Sequence, residues 1–74
     1  MSERDNDIVD FTTFVLHRLS EHWGKPVPDV YAALDGVGIV DDYLIKCYDV
    51  LHTLGADYLV NDVTELARNR GVVA

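Results

Sequence analysis

The sequence predicts an all-α protein: one small bundle of four helices, over about residues 7–23, 28–35, 41–54 and 56–70, with no sheet. Three observations carry this. Apolar residues recur at spacings of three and four, the signature of a buried helical stripe. No stretch alternates apolar and polar residues with the period of two that a half-buried strand needs. Glycine and proline fall between the periodic stretches, where helices stop and start.

In the first helix, Ile8, Phe11, Val15, Leu19 and Trp23 form the stripe, widened by Phe14 and Leu16. Asp5, Asn6 and Asp7 are its N-cap candidates, with negative charge where the helix dipole favours it. Residues 1–6 form a flexible acidic N-terminus, and Gly24 and Pro26 end the helix. A short second helix opens at Pro28, which suits the first helical position, and closes at Gly36. Its inner face is Val30, Tyr31 and Leu34, and Val37-Gly38-Ile39 is a connector. The third helix starts at Asp41, with Val40 and Ile45 as a hydrophobic staple. Leu44, Cys47, Tyr48, Leu51 and Leu54 face inward, opposite Asp42, Lys46, Asp49 and His52, with Asp42 and Lys46 in the favourable i,i+4 order. Gly55 is expected to take the left-handed conformation that closes this helix. The fourth helix buries Leu59, Val60, Val63, Leu66 and Ala67. Arg68 and Arg70 complement its C-terminal dipole before Gly71, and the apolar tail Val72-Val73-Ala74 docks on a neighbour.

Seventy-four residues make a single domain over 1–74 with a small core. Domains this small are often reinforced by disulfides, metals or self-association. A single cysteine, Cys47, excludes an internal disulfide and offers too few soft ligands for structural zinc, which leaves a homo-oligomer. Thirteen acidic against six basic residues give a net charge of −7. That balance opposes binding to nucleic acid or to an anionic membrane surface. No apolar run approaches the roughly 20 residues of a membrane span. The acidic start does not have the layout of a signal peptide, so a cytoplasmic protein is expected.

Several residues invite chemical readings. His17 and His22 are five apart, so their side chains point roughly 140° apart around a helix and make a poor metal pair. Cys47 and His52 diverge in the same way, and Cys47 falls on the apolar stripe, which makes it a buried, inert thiol. The acids Asp41-Asp42 and Asp57, Asp62 and Glu65 match no calcium-loop spacing and read as caps or a solvated face. Tyr31, Tyr43, Tyr48 and Tyr58 are core-edge residues or interface anchors, because the ring is apolar and the hydroxyl needs a partner. The third and fourth helices could form a helix-turn-helix-like element at 41–70. Its reading helix would then present Asp57, Asn61, Asp62, Thr64, Glu65 and Arg68, in which acids outnumber the one base. No phosphate loop, nucleophile elbow or zinc signature is present.

The segments Asp42-Tyr43-Leu44-Ile45, Tyr48-Asp49-Val50-Leu51-His52-Thr53 and Tyr58-Leu59-Val60-Asn61-Asp62-Val63 resemble a small bacterial family called domain of unknown function 3791. Its members share a D-Y-L…Y-D-V-L-H-T pattern followed by Tyr-(Ile/Leu)-Val-x-Asp. The similarity runs from Phe11-Thr12-Thr13-Phe14-Val15 onward, with Leu51-His52-Thr53 as its most specific part. The resemblance supplies no catalytic residues. Family genes often stand beside genes for ADP-ribosyltransferase-like, toxin-type proteins, which implies a role in a toxin–antitoxin or related module.

The sequence therefore points to a non-enzymatic protein-interaction module without cofactor or metal, the antitoxin-like or accessory partner of a toxin-type protein. The candidate partner-binding residues are Tyr43, Tyr48, Asp49, His52 and Tyr58. A nucleic-acid-binding accessory is the alternative, and a small enzyme a further one. His52 is expected to brace the end of the third helix through an imidazole bond to a carbonyl or an aspartate.

Overall fold

A computed structural model of the chain describes residues 3–72. Helix α1 spans Glu3–Trp23 and α2 spans Val27–Gly36. A π-helical segment follows over Val40–Ile45, then a single turn, α3, over Tyr48–Leu51, and finally α4 over Ala56–Asn69. No strand occurs among the described residues, as expected.

The helix boundaries differ from expectation in instructive ways. Helix α1 begins at Glu3, so residues 3–6, assigned above to a flexible N-terminus, are helical; residues 1 and 2 lie outside the described region. The negative charge expected at the start of the helix thus lies inside its first turns. At its other end Gly24 takes φ 67°, and the amides of Gly24 and Lys25 both donate to the Ser20 carbonyl. Helix α2 has Pro26 as N-cap and Pro28 in its first turn, and Gly36 is its last residue, not a stop beyond it. The reversal falls on Gly38, at φ 79°.

The third helix, expected to be continuous over 41–54, is broken. Its first half is π-helical, with the Lys46 amide donating to the Asp41 carbonyl five residues back at 3.3 Å. Cys47 then leaves helical geometry at φ −99°, ψ 15° before α3 begins. The pattern of burial gives the physical reason. Ile39 and Leu44 are both fully buried, although they are five residues apart. In an α-helix that spacing separates two side chains by roughly 140°. One wider turn brings them to the same side. Ile39, read from sequence as part of a connector, is thus a core residue. The same turn undoes the proposed staple, since Val40 is buried while Ile45 is exposed.

Gly55 is also corrected. It adopts φ −69°, ψ 152° and is the N-cap of α4, not a left-handed closure of the preceding helix. Gly71 does close a helix. At φ 93° it lets the Val72 amide reach the Ala67 carbonyl at 2.9 Å and its own amide reach that of Arg68 at 3.0 Å. This pair of bonds is the Schellman closure. Val72 folds back onto the core, while Val73 and Ala74 of the expected docking tail lie outside the described residues.

Helix α1 is the spine, with α2, α4 and the π-helical segment packed around it. It buries Val15, Leu16 and Leu19 against Val30 and Leu34 of α2, Leu44 of the π-helical segment and Leu51 of α3. Leu59, Val60, Val63 and Ala67 complete the core from α4. Tyr31, expected inside, is exposed, and Thr64, expected on an outer face, is buried. Thr64 is there because its hydroxyl accepts a hydrogen bond from the indole of Trp23 at 2.9 Å, which satisfies both polar groups in a part-buried setting.

Candidate interaction surface

The five residues singled out from the sequence fall into separate local structures. Tyr48 lies between Phe11 of α1 and His52. Its ring meets Phe11 edge-on, with centroids 5.4 Å apart at 74°. His52 stacks on it at 4.7 Å and 20°. The ladder ties α3 to α1 and ends at an exposed imidazole. Among the described residues, His52 therefore braces the turn by stacking and not through the expected bond to a carbonyl or an aspartate. That bond belongs to Thr53, whose hydroxyl donates to the Val50 carbonyl at 2.8 Å. Asp49 is exposed on the same short turn.

Tyr43 stands apart from this ladder, on the π-helical segment. Its hydroxyl donates to the Asp62 carboxylate on α4. Burial, and then the Asp62 hydrogen bond and charge, push its pKa well above the ordinary value of 10.0. Tyr58 precedes Asp62 by one turn and is exposed. Tyr43 thus locks the π-helical segment to α4, and its hydroxyl is already committed.

Near the opposite end of α4, the Arg70 guanidinium donates to the Val37 carbonyl at 2.8 Å. It sits beside Gly38, where the Asp42 carboxylate also folds in, within 3.1 Å of where a Cβ on Gly38 would lie. Asp42 therefore turns toward the Gly38 turn, and not along a helix toward Lys46 as its i,i+4 spacing suggested.

Sequence reasoning missed an apolar groove of about 250 Å³ between α1, α2 and the π-helical segment. Ile8, Val9 and Leu16 form one wall, with Tyr31, Val40 and Ile45 opposite. Val9 (53%), Tyr31 (45%) and Ile45 (41%) are among the most exposed large apolar side chains of the protein. Asp41 and the threonines Thr12 and Thr13 complete the lining. The Thr12 hydroxyl is buried and has no hydrogen-bond partner. The signal in the sequence was slight: Val9 lies off the stripe, and the exposure of Ile45 depends on the π-helical turn.

A second crevice, between α1 and α4, is larger, about 470 Å³, and polar. Arg18, Glu21, His22, Asp57 and Asn61 line it, and Arg18 meets Asp57 at 3.5 Å. His17 lies outside this lining, and Cys47 is a half-buried free thiol. Among the described residues, no three of His, Cys, Asp and Glu converge as a metal ion would require. Nor does any helix there have the length and apolarity to cross a membrane. The helix-turn-helix-like element loses its first helix, because the π-helical segment and a single turn replace it.

A family model described as Protein of unknown function (DUF3791) matches residues 10–70. The chain belongs to the DUF3791 family. The match takes in the Phe11–Tyr48–His52 ladder, the Tyr43–Asp62 pair and the Arg70 clamp, and so the contacts that hold the DUF3791 helices in register. It stops short of Ile8 and Val9 at one end of the groove. No curated protein and no solved structure matches the chain.

Proposed function

We propose that this DUF3791 protein is a non-enzymatic protein-interaction module, the antitoxin-like or accessory partner of a toxin-type protein. The observation that carries the reading is the gathering of Val9, Tyr31 and Ile45 in one groove. The amount of exposed surface is not unusual. The total, 4555 Å², is close to the roughly 4,600 Å² expected of a compact monomer of this mass. What distinguishes this surface is that exposed apolar side chains are contiguous and concave, which marks interaction sites.

Two further features support it. The net charge of −7 suits a basic protein partner and repels phosphates. The exposed side of α4 presents Asp57, Asn61 and Glu65 beside one arginine, Arg68, a poor reader of nucleic acid. The strongly shifted group, Tyr43, is held in its neutral form, the wrong direction for a nucleophile or general base.

The test is calorimetric titration of the purified protein with the ADP-ribosyltransferase-like, toxin-type protein encoded beside family members. Saturable binding with a negative heat-capacity change is expected, the mark of apolar burial. No heat at about 100 μM, together with a mobility shift of DNA at low salt, would replace this reading with the nucleic-acid one.

A further inference from the structure

The groove between α1, α2 and the π-helical segment has a shape and a charge that specify its occupant. Its α1 wall runs from Ile8 to Leu16, a rise of about 12 Å, or little more than two helical turns. That length matches a partner helix presenting apolar residues at i, i+3 or i+4, and i+7. Asp41 stands in the lining, and Asp35 lies one turn along α2 from Tyr31. Lys46, beside Ile45 in the chain, is the nearest base in sequence, and the protein as a whole carries −7.

We propose that this groove binds one amphipathic helix of a basic protein, with its apolar face on Val9, Tyr31 and Ile45 and its lysines or arginines beside Asp41 and Asp35. This rests on the reading of the protein as an interaction module and names the kind of partner. A second copy of the chain fits poorly. It brings the same negative charge, and the outer side of its α4 carries more acids than bases. The π-helical turn belongs to the device, because it turns Ile45 outward while keeping Val40 and Leu44 in the core.

The probe is a fluorescein-labelled helix of about 14 residues, with leucines along one face and lysines along both flanks. Two controls are a scrambled peptide of the same composition and a version with glutamate in place of each lysine. The lysine peptide is expected to bind saturably, the scrambled and glutamate peptides at least about tenfold more weakly. Ile45→Glu and Tyr31→Ala should each weaken binding about tenfold, while Asn61→Glu, exposed on α4 and outside the groove, should leave it unchanged. Asp41→Asn should weaken it less and flatten its salt dependence. Failure of the lysine peptide to bind at about 1 mM overturns the proposal. So does equal binding of the glutamate peptide, or parental affinity in both groove variants when circular dichroism shows them folded. Sedimentation showing that Ile45→Glu splits a dimer would put a second copy in the groove and also overturn it. If the toxin-type protein binds Ile45→Glu and Tyr31→Ala as tightly as the parent, the groove is wrong while the interaction reading stands. If neither that protein nor the peptide binds, both fall.

Discussion

The indole N–H of Trp23, at the end of α1, donates to the Thr64 hydroxyl in the middle of α4 across 2.9 Å. One contact thus satisfies the polar edge of the only tryptophan and a buried threonine. Thr64→Val keeps the volume but leaves the indole without its acceptor. Urea unfolding should show a loss of about 1–3 kcal/mol with an unchanged m-value. A midpoint equal to the parent's would mean that water serves the indole equally well.

Tyr43 should give the protein an alkaline limit. In the unfolded chain its phenol titrates near the ordinary 10.0; in the folded state burial and Asp62 hold the proton to higher pH. Above about pH 10 the folded state therefore binds more protons, so stability is retained below that value and falls as pH rises past it. Absorbance titration should find a late tyrosine phase from Tyr43. Tyr43→Phe should remove both the late phase and that part of the alkaline slope.

The role of His52 is separable by substitution. Its ring stacks on Tyr48, and an aromatic pair contributes about 0.5–1.5 kcal/mol beyond burial. His52→Ala should lower stability by roughly 1 kcal/mol, and partner binding should weaken only as far as folding does. His52→Phe should restore the stability, which a hydrogen-bonding imidazole would not allow. A variant that melts like the parent yet loses its partner would move His52 to the binding surface.

Two glycines two residues apart should respond oppositely. At Gly38 the positive φ strains any residue with a Cβ, and the Asp42 carboxylate, 3.1 Å from where that Cβ would lie, would have to shift, so Gly38→Ala should cost about 1–3 kcal/mol. At Gly36, inside α2, nothing lies within 4 Å and φ is not positive, so Gly36→Ala should add about 0.4–1 kcal/mol. Thermal melts of the two variants decide this.

Self-association is expected to use apolar side chains outside the groove, Phe14 and Val50, the latter 66% exposed. Sedimentation at about 100 μM should show a dimer, since a weak interface of about −6 kcal/mol is then largely occupied. A monomer at that concentration retires the expectation.

The sequence by itself determined the helical class, the position of both long helices and most of the core. These follow from local spacing: Val15, Leu19, Leu59 and Val63 recur with the helical period, and burial followed. The end of α4 before Gly71 was also legible, but the left-handed closure was expected at Gly55 and falls instead on Gly71. Tertiary structure alone decided the middle of the chain. Whether 41–54 stays one helix depends on Ile39 and Leu44 both reaching a core built by α1 and α4, which no local pattern records. The family motif around His52 marked a ladder that holds α3 on α1. The groove became visible only when Val9, Tyr31 and Ile45, far apart in sequence, were brought together on three elements. Periodicity reports which way a side chain faces on its own helix. What it faces across the fold is set by packing between helices.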